Sequence, residues 1–207
     1  MSNNRLKKSR RGHSNRPTQT RKLRPRFLII CEGTVTEPNY FKSFRVPTNV
    51  IQIDVIGLGR NPSQVVKKAQ ELKTQKGYEE ELDQVWCVFD RDNWTDQDFN
   101  KAIQDASNAG FSIAYSNEAF ELWYVLHFCY LNTGVNRQQY QNQLDRYLGC
   151  PYQKNSDNMY EKLLDRQNQA LKNADKLLKT YLQKNPATEN PSTTVHLLVK
   201  ELNKFIP

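Results

Sequence analysis

Two strand-length apolar blocks, each running straight into carboxylates, constrain this chain more than any other feature. Phe27-Leu-Ile-Ile-Cys31 leads into Glu32-Gly33, and Gln84–Phe89 leads into Asp90-Arg91-Asp92. Neither block alternates with polar residues, so each reads as a strand buried on both faces, the pattern of a parallel sheet covered by helices. In such sheets ligands collect in the crevice at the carboxyl ends of the strands. The acidic residues therefore stand where chemistry is expected.

The segments between and after these blocks fit βα units. Thr36-Glu-Pro-Asn opens a helix to about Phe44, with Tyr40, Phe41 and Phe44 as its apolar face; Thr34 and Thr36 cap it, or the amides there hold a phosphate. Val50–Ile56 alternates apolar and polar, as a half-exposed or edge strand does. Asn61-Pro-Ser starts a helix to about Lys76, with an N-cap and then proline at the first helical position. A helix capped near Thr95 follows Asp92, and Phe111–Tyr115 forms a fourth strand. Ser116-Asn117 then caps a helix containing Phe120–Phe128. The expected core, residues 27–130, is a mostly parallel four-stranded α/β sheet with flanking helices. Beyond it, 131–207 reads as a helical extension without strands, with amphipathic helices at Gln138–Leu148, Tyr160–Leu182 and Thr193–Ile206.

Charge divides the chain unevenly. Residues 1–26 hold ten Lys/Arg and no acid, whereas the whole carries +8, so the other residues sum to −2. A basic arm this poor in apolar residues is expected to be disordered in isolation. It suits counterion-releasing contact with nucleic-acid phosphates, or serves only as a solubilising tail. It has no apolar stretch of the kind a secretory signal needs, and no run approaches the roughly 20 residues of a membrane span. The four cysteines lack CxxC or His spacing. Reduced cytoplasmic thiols and no membrane association are the expectation.

In extended chain, Asp90 and Asp92 project to one side while Arg91 points away. Such a pair suits a hard cation, Mg²⁺ or Mn²⁺, although aspartates after a strand also cap helices. If the strands ending at Glu32 and Asp90 are neighbours, three carboxylates converge. Glu121 is the candidate fourth carboxylate, or else a favourable charge at a helix N-terminus, and Glu118 has the same two readings. Lys154, in a polar loop, either approaches a phosphate or is a solvated lysine. His127 reads as a hydrogen-bonded, half-buried histidine, and Phe120 and Trp123 as core.

Three segments together, Phe27-Leu-Ile-Ile-Cys-Glu-Gly-Thr-Val-Thr-Glu-Pro-Asn-Tyr-Phe41, Val88-Phe-Asp-Arg-Asp92 and Ser116-Asn-Glu-Ala-Phe-Glu-Leu-Trp-Tyr-Val-Leu-His-Phe128, resemble the RloB-like family. The likeness continues through Tyr152-Gln-Lys154 and Asn190-Pro-Ser-Thr-Thr-Val195. The resemblance implies a Toprim-like (Rossmann-like) core, the metal-binding fold of topoisomerases, primases and OLD-family nucleases. By that likeness Glu32 is a general acid/base or a metal ligand, and Asp90 and Asp92 are ligands of Mg²⁺ or Mn²⁺. It further implies a metal-dependent nuclease of DNA or RNA, tRNA included, acting in anti-phage defence under the control of a partner AAA- or ABC-type ATPase. The apolar stripes of the C-terminal helices suit covering the sheet, forming a homodimer or docking on an ATPase, and the sequence leaves the three open. The rival reading is a non-catalytic module that binds nucleic acid or an ATPase through a structural cation site. An Asp-x-Asp phosphatase is disfavoured, because Asp90 follows the third strand rather than the first.

Overall fold

Continuous apolar strands with no polar face can be satisfied only by helices on both sides of a sheet, and the computed structural model has that layering. It describes residues 24–75, 82–181 and 185–206. Most of the basic arm, to residue 23, and the expected helix ends at Lys76 and Leu182 lie outside the described residues. The elements run β1 (Arg26–Cys31), α1 (Thr36–Lys42), β2 (Gln52–Gly57), α2 (Pro62–Lys73), β3 (Gln84–Asp90), α3 (Asp96–Asn108), β4 (Ser112–Asn117) and α4 (Glu121–Val125). Then follow α5 (Arg137–Leu148), α6 (Met159–Leu163), a 3-10 turn (Leu164–Arg166), α7 (Gln167–Leu178), β5 (Ser192–Thr193) and α8 (Val195–Asn203).

The sheet has five strands in the order β2-β1-β3-β4-β5, not four. The first four are parallel, while β5 runs antiparallel to β4 with Ser116 opposite Thr193 and Asn117 opposite Ser192. The expectation that no strand follows residue 130 is therefore corrected. A two-residue polar strand carries no periodicity to detect. It is held by Thr194 N–H donating to Tyr115 O (2.9 Å) and Tyr115 N–H donating to the Thr194 hydroxyl (2.9 Å). The residues expected to begin a C-terminal helix at Thr193 are thus spent on the sheet edge, and α8 starts at Val195.

Successive side chains of the buried strands go to opposite faces. Leu28 and Ile30 of β1, with Val85, Cys87 and Phe89 of β3, pack on Val65, Val66 and Ala69 of α2 and Phe99, Ala102 and Ala106 of α3. Phe27, Ile29 and Cys31, with Trp86 and Val88, face a larger core built from α1 and from α4 through α8. The helices after residue 130 thus complete the cover of one sheet face. At its centre the Tyr40 ring lies 5.4–5.8 Å from those of Phe41, Phe44, Phe120, Tyr124 and Tyr160. Phe120 and Trp123 are fully buried, as their spacing implied.

Local signals account for several boundaries. Asn61 accepts from Gln64 N–H with Pro62 next in the chain, and Thr95 accepts from Asp98 N–H. Two expectations fail locally. The helix at Phe120–Phe128 is confined to Glu121–Val125. The expected long helix from Tyr160 is divided by the 3-10 turn into α6 and α7. No helix among the described residues is long and apolar enough to cross a membrane.

Candidate functional site

The chain steps from β1 outward to β2, then returns past β1 to β3, so the sheet order reverses between β1 and β3. A crevice opens at such a switch point outside the carboxyl ends of the strands. Here it is a cleft of about 330 Å³ lined by Glu32, Glu37, Asp90, Asp92, Glu121, Arg137 and Lys154, among others. All five residues singled out from sequence, Glu32, Asp90, Asp92, Glu121 and Lys154, therefore face one cavity.

Glu32 immediately follows β1, and its N–H extends the ladder to Val88 O at 2.8 Å. Its carboxylate accepts from Asp90 N–H (2.9 Å) and from the Trp94 indole N–H (2.8 Å). Burial pushes Glu32 up to about 7, against the pull of those two donors, with Glu37 and Asp92 adding repulsion. That value suits a group that exchanges a proton near neutral pH.

Asp90 ends β3 and is 9% exposed. Its Oδ2 accepts from Phe120 N–H at 3.1 Å, whereas Oδ1 is buried with no hydrogen-bond partner. Burial, followed by the charges of Glu37, Glu121 and Glu32, holds this carboxyl well above the usual range, and Arg137 offsets part of that. Asp92 comes to the same place by a different route from the one expected. The chain leaves the strand at Asp90, and Asp92 has φ +38° with its N–H donating to Glu118 O (3.1 Å). A left-handed turn, which aspartate tolerates better than most residues, rather than strand alternation, brings the two together. Arg91 does turn away, pairing with Asp96.

Opposite these lie Glu121, 2% exposed, and Lys154, whose Nζ is 3.8 Å from Glu121 Oε1. The Tyr152 hydroxyl donates to the same oxygen at 3.4 Å. Thr36 does not cap its helix. Val35 occupies the N-cap position, and the Thr36 hydroxyl instead donates to Lys154 O (3.2 Å), tying the lysine loop to the β1–α1 turn. Glu118 turns to Arg137 N–H (3.4 Å). His127 is fully buried rather than half-buried. Its Nδ1 lies 2.9 Å from Trp123 O, and burial pushes it down to about 4, so it is a neutral core residue.

Beyond the geometry, a family model described as "RloB-like protein" matches residues 27–202. The chain belongs to the RloB-like family. The match begins at the second residue of β1 and ends in α8, so it contains every cleft residue named above. No curated protein and no solved structure matches the chain.

Whether this RloB-like cleft suits a divalent cation can be judged from its donors. Among the described residues no three acidic, His or Cys side chains stand grouped to hold a metal ion. Asp90 Oδ1 nevertheless offers a buried, unpaired hard oxygen, and Asp92 is partly exposed beside it. Mg²⁺ is commonly held by one or two carboxylates, with waters and substrate phosphate completing its shell. The donors present fit that habit.

Three site residues escaped the sequence reading. Glu37 is 6% exposed and accepts from Gly33 N–H at 3.2 Å. A Cβ at Gly33 would lie 2.3 Å from Glu37 Oε2, so only glycine permits this approach. Thr34 followed three residues later by Glu37 is a capping-box spacing, which was the available signal. Trp94, which reaches Glu32, and Arg137, which lines the cleft, had none, because each comes from a segment whose position only packing sets.

Proposed function

We propose that this RloB-like protein is a metal-dependent nuclease of Toprim type that hydrolyses phosphodiesters in the β1–β3 cleft. The observation that carries the reading is Asp90, a buried carboxylate with one oxygen unpaired, on the wall of a crevice shared with four other acidic side chains. Concentrating buried carboxylates is costly unless cationic chemistry uses them. Asp90 and Asp92, with water completing the set, would hold Mg²⁺ or Mn²⁺. When bound, the cation supplies Lewis-acid polarisation of the phosphate and activation of water.

The chain's own groups take the remaining tasks. Glu32, fixed by Asp90 N–H and Trp94, accepts the proton of the attacking water. Lys154 and Arg137 flank the cleft and face the charge that develops on the phosphoryl oxygens. The ten Lys/Arg of residues 1–26 add sequence-independent attraction for nucleic acid. The reading extends to a partner ATPase that restrains the nuclease during anti-phage defence, and to a homodimer.

The test is cleavage of DNA and of tRNA by the purified protein, alone and with a co-expressed neighbouring ATPase, in Mg²⁺, Mn²⁺ or EDTA. Cation-dependent cleavage that is lost in Glu32→Ala, Asp90→Ala and Asp92→Ala supports the reading. Wild-type cleavage by all three variants sinks it. The second reading, a non-catalytic nucleic-acid- or ATPase-binding module, is favoured by one observation. A guanidinium, that of Arg137, already stands between the two aspartates. It predicts binding of nucleic acid without cleavage under any of these conditions.

A further inference from the structure

Arg137 opens α5, and its main chain is fixed. The Asn136 side chain accepts from Gln139 N–H, the Gln139 side chain accepts from Asn136 N–H, and Arg137 N–H donates to Glu118. Only its side chain is free to change partners. The guanidinium forks over both aspartates: Nη2 lies 3.6 Å from Asp90 Oδ2 and 3.4 Å from Asp92 Oδ1, and Nη1 lies 3.4 Å from Asp92 Oδ2. Charge-assisted hydrogen bonds of a settled pair are shorter, about 2.7–2.9 Å. Arg137 Nε is also buried without a partner, as is Asp90 Oδ1. A half-buried ion pair stabilises little when its remaining buried donors and acceptors are unmet, and here one of each is unmet.

We infer that Arg137 is the internal counter-ion of the cation-free cleft, which yields Asp90 and Asp92 to a divalent cation and then grips the substrate phosphate. The inference rests on the phosphodiester reading given above. A divalent ion held by these aspartates and a guanidinium 3.4–3.6 Å from three of their four oxygens would repel one another, so each occupancy opposes the other. The displaced guanidinium keeps a planar donor fork, which matches two phosphate oxygens, and Lys154 lies in the same cleft. Cation and phosphate then favour each other's binding, and the coupling is reciprocal.

The experiment is calorimetric titration of Mn²⁺ into the full chain, with and without thymidine 5′-monophosphate, for wild type, Arg137→Gln and Arg137→Lys. Melting temperatures in EDTA and in Mn²⁺ accompany it. Removing the competing charge is expected to tighten Mn²⁺ binding by about tenfold or more in R137Q. The shorter lysine is expected to fall between R137Q and wild type. R137Q should melt lower than wild type in EDTA and gain more from Mn²⁺. The nucleotide should tighten Mn²⁺ binding more in wild type than in R137Q, and equal tightening in both would overturn the phosphate-gripping role of Arg137. If wild type binds Mn²⁺ and neither variant binds it more tightly, Arg137 is a structural partner and the inference is overturned, with the cation site intact. If none of the three proteins binds Mn²⁺, the cation site falls and takes the inference with it.

Discussion

The indole N–H of Trp94 reaches back to donate to Glu32 Oε1 at 2.8 Å, joining the turn after β3 to the residue that ends β1. This bond favours the carboxylate form of Glu32 and works against the burial that raises it to about 7. Trp94→Phe keeps the ring and deletes the donor. The Glu32 midpoint is expected to rise by about one unit, equivalent to roughly 1.4 kcal/mol. The alkaline shift should appear in the acidic limb of the pH–rate profile, and an unmoved limb would separate Glu32 from that titration.

Stability should fall between pH 6.5 and 8 in EDTA. Glu32 has a folded value of about 7, above its ordinary 4.5, and burial with the neighbouring carboxylates also holds Asp90 well above its usual range, so the folded state holds more protons than the unfolded chain in this window. That part of the stability is present at low pH and is lost as pH rises through the folded value. The buried His127 and His196, pushed down to about 4 by burial, act oppositely, and only below pH 6.5. A maximum near pH 6 in thermal melts is the expected result, and stability that increases from pH 6.5 to 8 contradicts it.

Asp90→Asn should separate stability from activity. The amide oxygen can still accept from Phe120 N–H, while the buried charge facing Glu37, Glu121 and Glu32 is gone. Cation-dependent cleavage is expected to drop by at least about a hundredfold. In EDTA at pH 8 the variant should melt above wild type, by about 2–4 °C for each kcal/mol recovered. A lower melting point would mean that the attraction between Asp90 and Arg137 outweighs the cost of burying the carboxylate.

Gly33→Ala tests the tight turn after β1. The added methyl would sit 2.3 Å from Glu37 Oε2 and 2.8 Å from Oε1. Glu37 must swing away or the loop must shift, at a cost of about 1–3 kcal/mol by chemical denaturation. Activity should fall more than the lost stability explains, because the same loop carries Glu32.

Leu198→Ala probes whether α8 belongs to the same cooperative unit as the sheet. Leu198 is fully buried in the core shared by β1, β3 and the helices after residue 130. A loss of about 2–5 kcal/mol in a single transition is expected. Two separated transitions would show that the C-terminal helices unfold independently.

Sequence alone determined the frame of this protein. Apolar runs at Phe27–Cys31 and Gln84–Phe89, without a polar face, specify strands covered on both sides, and Asn61-Pro62 and Thr95 specify helix starts through local hydrogen bonds. The residues after those runs placed Glu32 and Asp90 at strand ends, because strand and carboxylate are neighbours in the chain. Only the tertiary structure decided what those carboxylates meet. The β1–β3 pairing that unites them is a contact between distant segments, and β5 exists because the Thr194 hydroxyl and backbone satisfy the free edge of β4. Glu37 and Arg137 line the cleft, and Trp94 reaches Glu32, through packing and a glycine-sized gap whose distances the chain order does not set. Even the Asp90–Asp92 convergence expected from strand alternation is achieved by a left-handed turn at Asp92. Local preference acts over a few residues, whereas the charge balance of a buried site is set by every group that folding brings within several ångströms.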